Sequence, residues 1–310
     1  MPLSIIIPVY NAEFFIENAV ESALKQSITG EVILVEDYSK DKSYEICQKL
    51  IRKYNNVKLY RTEGNSNQGA GAARNIGLKY ANYEWILFFD ADDLFVENSL
   101  DSVNLSEIKA DAIFFYIHMR ILSPSQNLTS GYFSYTNEER IPSISLNSNR
   151  NYSYYEYLMG ASPSIIATIF NIRVLTKVGY FDESLRQAED TDFLLRMFWF
   201  NNVYFSGLQN SIAIYQIHGK NSVLNSNTML YYNSIKNLKW ITLSLYNKLP
   251  LEVFFIFYKR YLGTHPFIYK KLYIPKRIKQ MLVTIELPFK ILIYFFQNKE
   301  KIKTTLKKNA

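Results

Sequence analysis

Ile86-Leu87-Phe88-Phe89-Asp90-Ala91-Asp92-Asp93 takes four apolar residues straight into three carboxylates. A short apolar run that stops at a polar cluster reads as a buried strand of a parallel sheet. In open α/β sheets the ligand lies beyond the carboxyl ends of the strands. Acids crowded there raise one another's pKa unless a cation offsets them. Hard divalent ions bind through one or two carboxylates plus substrate phosphates, so the cluster predicts a metal–diphosphate site. A plainer alternative is an acidic turn, with Asp93 capping a following helix.

Working outward, residues 3–9 predict a strand, and 12–28 a helix with Ala19, Ala23 and Leu24 toward the sheet. Glu31–Glu36 predicts a second strand, 41–54 a helix, Val57–Arg61 a third strand, 70–81 a helix and 84–90 the fourth strand. This β-α-β-α-β-α-β order implies an α/β fold with a mostly parallel, doubly wound, Rossmann-like sheet and helices on both faces. Right-handed crossovers place the carboxyl ends of all four strands on one edge. Beyond Asp111, Ala112–Met119 and Gly131–Tyr135 read as strands, Gly179–Glu183 as a turn, 189–200 as a helix and Val203–Tyr215 as one or two strands. The expected division is 1–225 as one domain, in halves 1–110 and 111–225, followed by a helical extension over 226–310.

The chain has 310 residues, 48% hydrophobic and 20% charged, which is a globular composition. Its start, Met1-Pro2-Leu3-Ser4, lacks the basic segment of a signal peptide. A single cysteine, Cys47, excludes a disulfide framework and fits a reducing, cytoplasmic setting. The net charge of +7 is uneven: residues 259–310 carry 13 Lys and Arg against Glu286 and Glu300, a balance of +11, leaving −4 for the rest. A mildly acidic body argues against nucleic-acid binding, and the basic tail points to an anionic partner.

Ile278, Met281, Leu282, Ile285, Phe289, Leu292, Ile293 and Phe296 fall on one stripe at helical spacing. Glu286, Pro288 and Lys290 interrupt it, so a spanning helix is not expected. A basic, aromatic, amphipathic segment suits an anionic bilayer surface. It equally suits packing on the protein's own core or in a homodimer.

Further clusters fall at the predicted strand ends. Ile7-Pro8-Val9-Tyr10-Asn11 closes the first strand; Tyr10 offers a flat ring and Asn11 a helix cap. Val35-Glu36-Asp37-Tyr38-Ser39 closes the second, where an acid can accept from a nucleobase N–H or a ribose hydroxyl. Asn67-Gln68-Gly69-Ala70-Gly71-Ala72-Ala73-Arg74-Asn75 precedes the fourth, and it is neither a Walker loop nor a dinucleotide fingerprint. Arg74 supplies a forked donor for phosphate or base. Separately, a turn or cap explains each cluster about as well.

As an ordered set these segments resemble the family 2 glycosyltransferases, inverting enzymes of the GT-A fold, in the type that builds bacterial capsule, lipopolysaccharide and exopolysaccharide. The matching pieces are Ser4–Asn11, Glu31–Asp41, Asn67–Leu78, Leu87–Asp93, Gly179–Glu183, Glu189–Arg196 and the His218 region, within residues 3–225. The resemblance makes 1–110 the nucleotide-binding half and 111–225 the acceptor-binding half. It implies that Pro8, Tyr10, Asn11, Glu36, Asp37, Gly71, Arg74, Asp90 and Asp93 contact a UDP-sugar. Asp92 would be the main ligand of a Mn²⁺ or Mg²⁺ ion, with Asp90 and His218 beside it. A lone His is otherwise usually structural. Two departures stand out: Glu36 replaces a common Asp, and Tyr38 replaces a usual Gly, which would reshape the base pocket.

Glu189-Asp190-Thr191-Asp192 opens the 189–200 helix, where acids favour the dipole. By resemblance Asp190 is the general base that takes the acceptor hydroxyl's proton, Glu189 supports it or binds acceptor, and Asp192 is the fallback. The implied reaction moves a hexose or N-acetylhexosamine from UDP to a hydroxyl of a glycan or lipid-linked acceptor. It is a direct displacement at the inner face of the cytoplasmic membrane. The polar stretch 120–160, with its aromatic 152–157, would line the acceptor side. A nucleotidyltransferase would instead show a basic Gly-rich loop at the first strand, and a non-catalytic membrane-associated scaffold need not keep every carboxylate. Donor sugar and acceptor are not legible from motifs.

Overall fold

The structure is a computed structural model that describes residues 1–115, 117–121, 133–134, 164–205, 211–217, 226–246, 251–264 and 287–298. It divides into two compact units, one of Met1–Glu183 with Phe193–Gly219, the other of Ser184–Asp192 with Lys220–Ala310.

The first unit is built on β1 (Leu3–Val9), β2 (Thr29–Glu36), β3 (Val57–Arg61) and β4 (Trp85–Phe88), all parallel. Short strands β6 (Ala112–Phe114), β9 (Thr168–Asn171) and β10 (Val203–Phe205) extend the sheet to the order β10-β6-β9-β4-β1-β2-β3. Only β9 runs against its neighbours, so the sheet is mostly parallel as expected. A smaller sheet has the order β5-β11-β7-β8, from Leu94–Phe95, Ala213–Ile217, Ile117–Ile121 and Phe133–Ser134. The central strands of the main sheet are largely apolar because the helices around it shield them from water. Ile5, Ile6, Ile7, Ile33, Leu34, Leu87 and Phe88 are all fully buried.

Pro8 sits within the central strand, which is unusual for a residue without an N–H. The pairing pattern explains it. Odd residues of β1 bond toward β2, as in the Asp37 N–H to Val9 carbonyl bond, and even residues bond toward β4. The last bond on the β4 side is from the Phe89 N–H to the Ile6 carbonyl, so Pro8 falls where β4 has left the ladder.

Helices α1 (Ile16–Leu24), α2 (Ser43–Lys53) and α3 (Ala70–Tyr80) are the crossovers. α1 is shorter than the 12–28 expected, and Asn11 does not cap it: Asn11 has φ +51°, and Phe15 occupies the N-cap. Instead the segment after β1 is clipped to the one after β2. The Asn11 carboxamide accepts from the Lys40 N–H (2.8 Å), while the Ala12 and Glu13 N–H groups donate to Ser43 Oγ (2.8 Å) and Asp41 Oδ2 (3.1 Å). Cys47 is buried on α2, and burial together with the charges of Glu36 and Asp41 pushes its thiol up to about 12. At neutral pH it is a small apolar residue and not a nucleophile.

α3 packs on β1 and β2, which its small residues permit. A Cβ at Gly77 would run into Ile6 Cγ2 and crowd the rest of that side chain, so the helix rests on the central strand through a bare Cα. Gly77→Ala is therefore expected to lower stability by about 1–3 kcal/mol through overpacking, despite its better helix propensity. A thermal melt reads this as a drop of several degrees.

In the second unit, α6 (Ser226–Tyr246) and α7 (Leu251–Thr264) pack together, with Trp240 stacked on Phe257 at 5.3 Å. A further helix, α8, covers 287–298. Helix α5 (Glu189–Phe200), which follows the short α4 (Leu175–Val178), groups from Glu189 to Asp192 with this unit and for the remainder with the first. Among the described residues no helix is long and apolar enough to cross a membrane.

Candidate active site

Parallel pairing brings Val9, Glu36 and Phe88 to one edge, and the predicted clusters follow from it. Tyr10 stands 42% exposed just past β1. Glu36 and Asp37 are buried past β2, and both are committed to the protein itself. Glu36 accepts from the Ser39 N–H (2.5 Å) and from Arg61 Nε (2.7 Å). Arg61 in turn lies over the rings of Tyr38 (4.1 Å) and Tyr44 (4.7 Å). Tyr38 has φ +57°, a left-handed conformation that accounts for the glycine usual at this place.

Asp37 has a different fate from the simple acceptor expected. Oδ1 accepts from Thr62 Oγ1 and the Gln68 N–H, and Oδ2 from Asn67 Nδ2 and the Gly69 N–H, all at 2.7 Å. Those four donors fill the four lone-pair directions of a carboxylate. Asp37 therefore ties the loop before α3 to the end of β2. Gly69, at φ +97°, lets the chain turn into α3 where Gly71 and Arg74 are buried.

Arg74 Nη2 meets Asp90 Oδ1 at 2.8 Å, and its guanidinium lies near the rings of Phe88 (5.9 Å) and Phe181 (5.5 Å). Asp90 and Asp92 are half-buried, whereas Asp93 is 1% exposed. Asp93 Oδ1 accepts from the Gln216 N–H (2.9 Å), and Gln216 Nε2 donates to the Asp92 carbonyl (2.6 Å). Among the described residues Asp93 Oδ2 has no hydrogen-bond partner. Burial, then the charges of Asp90 and Asp92, raise the Asp93 carboxyl well above the ordinary range. Asp93 caps no helix: β5 follows it directly. Gln216, on β11, was not singled out by the sequence, although it lies two residues before His218. His218 lies outside the described residues, as do 152–157 and most of 120–160.

The Gly179–Glu183 turn is fastened to α3 from the other side. The Asn75 carboxamide accepts from the Phe181 N–H (2.9 Å) and donates to the Phe181 carbonyl (3.1 Å) and Glu183 Oε1 (2.8 Å). Phe181 stacks on Phe193 (4.3 Å) and meets Phe88 edge-on (5.1 Å), so turn, α5 and β4 share one aromatic core. Arg196 donates to the Val178 carbonyl behind this turn.

Within the second unit the three acids of α5 separate. Glu189 is buried and Asp190 half-buried. Asp192 is fully buried, with Oδ2 2.9 Å from Lys239 Nζ and Oδ1 3.0 Å from Trp240 Nε1. Both carboxylate oxygens of Asp192 are thus held by side chains of α6. Asp190 Oδ1 accepts from its own neighbour, the Thr191 N–H (2.6 Å) and Oγ1 (3.3 Å).

Asp37→Asn would set an amide N–H₂ against existing donors. The expected cost is about 1–3 kcal/mol, the desolvation price of unpaired groups, seen as a lower melting temperature. A normal melt combined with lost UDP affinity would instead mark Asp37 as a direct base contact.

The family model described as Glycosyl transferase family 2 matches residues 4–120. An uncharacterized glycosyltransferase of Haemophilus influenzae is 48% identical over 103 residues, covering 33% of this chain and 40% of its own length. The minor teichoic acid biosynthesis protein GgaB of Bacillus subtilis is 41% identical over 123 residues, covering 36% and 13%. The poly(ribitol-phosphate) β-N-acetylglucosaminyltransferase TarS of Staphylococcus aureus is 29% identical over 203 residues, covering 64% and 32%. The matched stretch is thus less than half the length of each of these relatives. Crystal structures of TarS 1–349 superpose on the whole chain, with UDP at 19% identity and TM-score 0.56 over 88% of TarS, and with UDP-GlcNAc at 18% and 0.57 over 93%. Over residues 4–120 the chain is thus similar to the family 2 glycosyltransferases, and its fold is the GT-A fold of TarS.

Proposed function

We propose that this protein transfers a sugar from a nucleotide-sugar donor, a UDP-hexose or UDP-N-acetylhexosamine, to a hydroxyl of a glycan or lipid-linked acceptor in cell-surface polysaccharide synthesis. The observation that carries this reading is the acid run Asp90–Asp93 at the carboxyl end of β4, with Arg74 alongside. The relatives named for teichoic acid biosynthesis and for poly(ribitol-phosphate) glycosylation support the polymer class. TarS bound to UDP and to UDP-GlcNAc supports the donor class.

The acids suit a divalent ion. Among the described residues Asp93 keeps one oxygen without a hydrogen-bond partner, and burial, then the charges of Asp90 and Asp92, raises its pKa. Among the described residues no three His, Cys, Asp or Glu side chains gather as a metal cage. A Mg²⁺ or Mn²⁺ ion needs none, since one or two carboxylates plus diphosphate oxygens suffice. Asp92 and Asp90 would hold it, with His218 as the third candidate, and it would offset charge gathering on the departing UDP. Tyr10 would face the base, with Pro8 and Asn11 shaping the same strand end, Glu36 and Asp37 bracing it, and Gly71 letting the backbone approach. Asp93 would border the donor sugar. Asp190, supported by Glu189, would take the acceptor's proton and give inversion.

The 287–298 helix leaves Phe289, Leu292, Ile293 and Phe296 between 51% and 66% exposed, in a segment whose surroundings carry most of the basic excess. We assign this face to an anionic membrane surface, which would hold a cytoplasmic enzyme beside lipid-linked acceptors. Full-length protein should float with vesicles containing phosphatidylglycerol and not with neutral ones, and Phe289→Ser with Phe296→Ser should abolish flotation. A dimer that persists without vesicles and is split by those substitutions would assign the face to a second copy.

The transferase reading is tested by UDP release. With Mn²⁺ and a glycan or lipid-linked acceptor, at least one of UDP-Glc, UDP-Gal, UDP-GlcNAc and UDP-GalNAc should be consumed. Asp92→Ala should abolish metal-dependent turnover. Asp190→Asn should lower kcat by about 10²–10⁴-fold, the usual span of general-base catalysis, with UDP affinity retained. Failure with every donor and acceptor would sink the reading.

A further inference from the structure

The strand ladder beside the acid run ends in an irregular rung. β5 and β11 pair antiparallel, with Leu94 opposite Ile214 and Phe95 opposite Ala213. In such a ladder every second opposite pair exchanges main-chain hydrogen bonds. The Val96 N–H donates to the Ile212 carbonyl at 2.9 Å. Alternation from that pair makes Leu94 and Ile214 the next bonded pair and Asp92 and Gln216 the one after.

That last rung is built from side chains. The Gln216 N–H, which a regular ladder would aim at the Asp92 carbonyl, donates to Asp93 Oδ1 at 2.9 Å. The Asp92 carbonyl accepts instead from Gln216 Nε2 at 2.6 Å. A tight turn accompanies the exchange: the Asp93 N–H donates to the Asp90 carbonyl at 3.2 Å and closes Asp90-Ala91-Asp92-Asp93 on itself. A main-chain rung would carry the strand through Asp92 and open this turn. The side-chain rung satisfies the Asp92 carbonyl while the turn stays closed. Gln216 is only 6% exposed, so its carboxamide has little water to fall back on if that bond is lost.

We propose that Gln216 is a positioning residue for the donor-side metal: by supplying the rung from its side chain, it fixes the backbone that carries Asp92. This deepens the reading of the acid run as a metal–diphosphate site and rests on it. Gln216 acts through Asp92 and not on the ion. Mg²⁺ demands near-ideal geometry, and a site with one or two protein carboxylates has little tolerance for a ligand that drifts. Groups that orient a ligand from behind typically carry about 10–100-fold in metal affinity. The clamp also joins the acid turn after β4 to the smaller sheet, in which β11 lies between β5 and β7.

The test measures UDP binding to the full-length protein by calorimetry over a series of Mn²⁺ concentrations, with no acceptor present. Gln216→Met keeps the side-chain length and loses the donor. The Mn²⁺ concentration needed for half-maximal UDP affinity should rise about 10–100-fold, while UDP affinity at saturating Mn²⁺ stays close to the parent's. A purely structural role would lower UDP affinity at every Mn²⁺ concentration, and that result overturns the proposal. So does a Mn²⁺ dependence that Gln216→Met leaves unchanged. A parent that binds UDP equally with and without Mn²⁺ overturns the metal reading itself, and the proposal with it. Should Gln216→Met fail to fold, Gln216→Asn takes its place. Its amide falls one methylene short of the Asp92 carbonyl, so it must show the same rise, and a parent-like Mn²⁺ dependence overturns the proposal.

Discussion

Like-charge crowding at the end of β4 is the constraint on which this edge of the sheet depends. Three carboxylates leave the ladder within four residues, and Asp93 is buried between its neighbours' charges. Such a cluster survives only where the surrounding fold holds each acid apart or partners it. Gln216 fixes Asp93 and the Asp92 carbonyl from β11, and Arg74 meets Asp90 from α3. Arg74 reaches that position because α3 lies hard against β1, and α3 lies there because Gly77 has no side chain to meet Ile6. A missing methyl in the core thus sets a charge at the surface.

The opposite edge of the sheet shows what a purely structural acid looks like. Glu31 is buried too, yet it accepts from Ser4, Lys58 and both nitrogens of Asn82 at 2.7–2.8 Å. Burial works against its charge, but those hydrogen bonds prevail and its pKa is lowered. Its contribution to stability is full above its ordinary pKa and is lost as pH falls through the lowered one. Asp37 belongs with Glu31 in being satisfied by the protein, while Asp93 does not. The partnering of each acid, more than its burial, separates scaffold from chemistry here.

The same sorting occurs on α5. Asp192 takes hydrogen bonds from Lys239 and Trp240, while Asp190, two residues away, takes its own from Thr191. A part of the chain outside the motif set thus supplies the partners of Asp192.

Much was legible before any coordinates. Apolar runs and their periods placed β1–β4, and the 189–200 helix fell on its predicted bounds, because those signals are local and repeat along the chain. The strand-end clusters followed from parallel pairing alone. The sequence by itself determined the architecture, and it brought Tyr10, Asp37, Arg74 and Asp90–Asp93 to one edge. Only the tertiary structure decided what each of those groups is bound to. Asn11 clips a neighbouring loop and caps no helix, Asp37 anchors the α3 loop, Asp192 is an ion-pair partner, and Gln216 carries no motif at all. Their partners lie tens of residues away, and spacing within a strand or helix carries no information about a contact that forms only when distant segments pack.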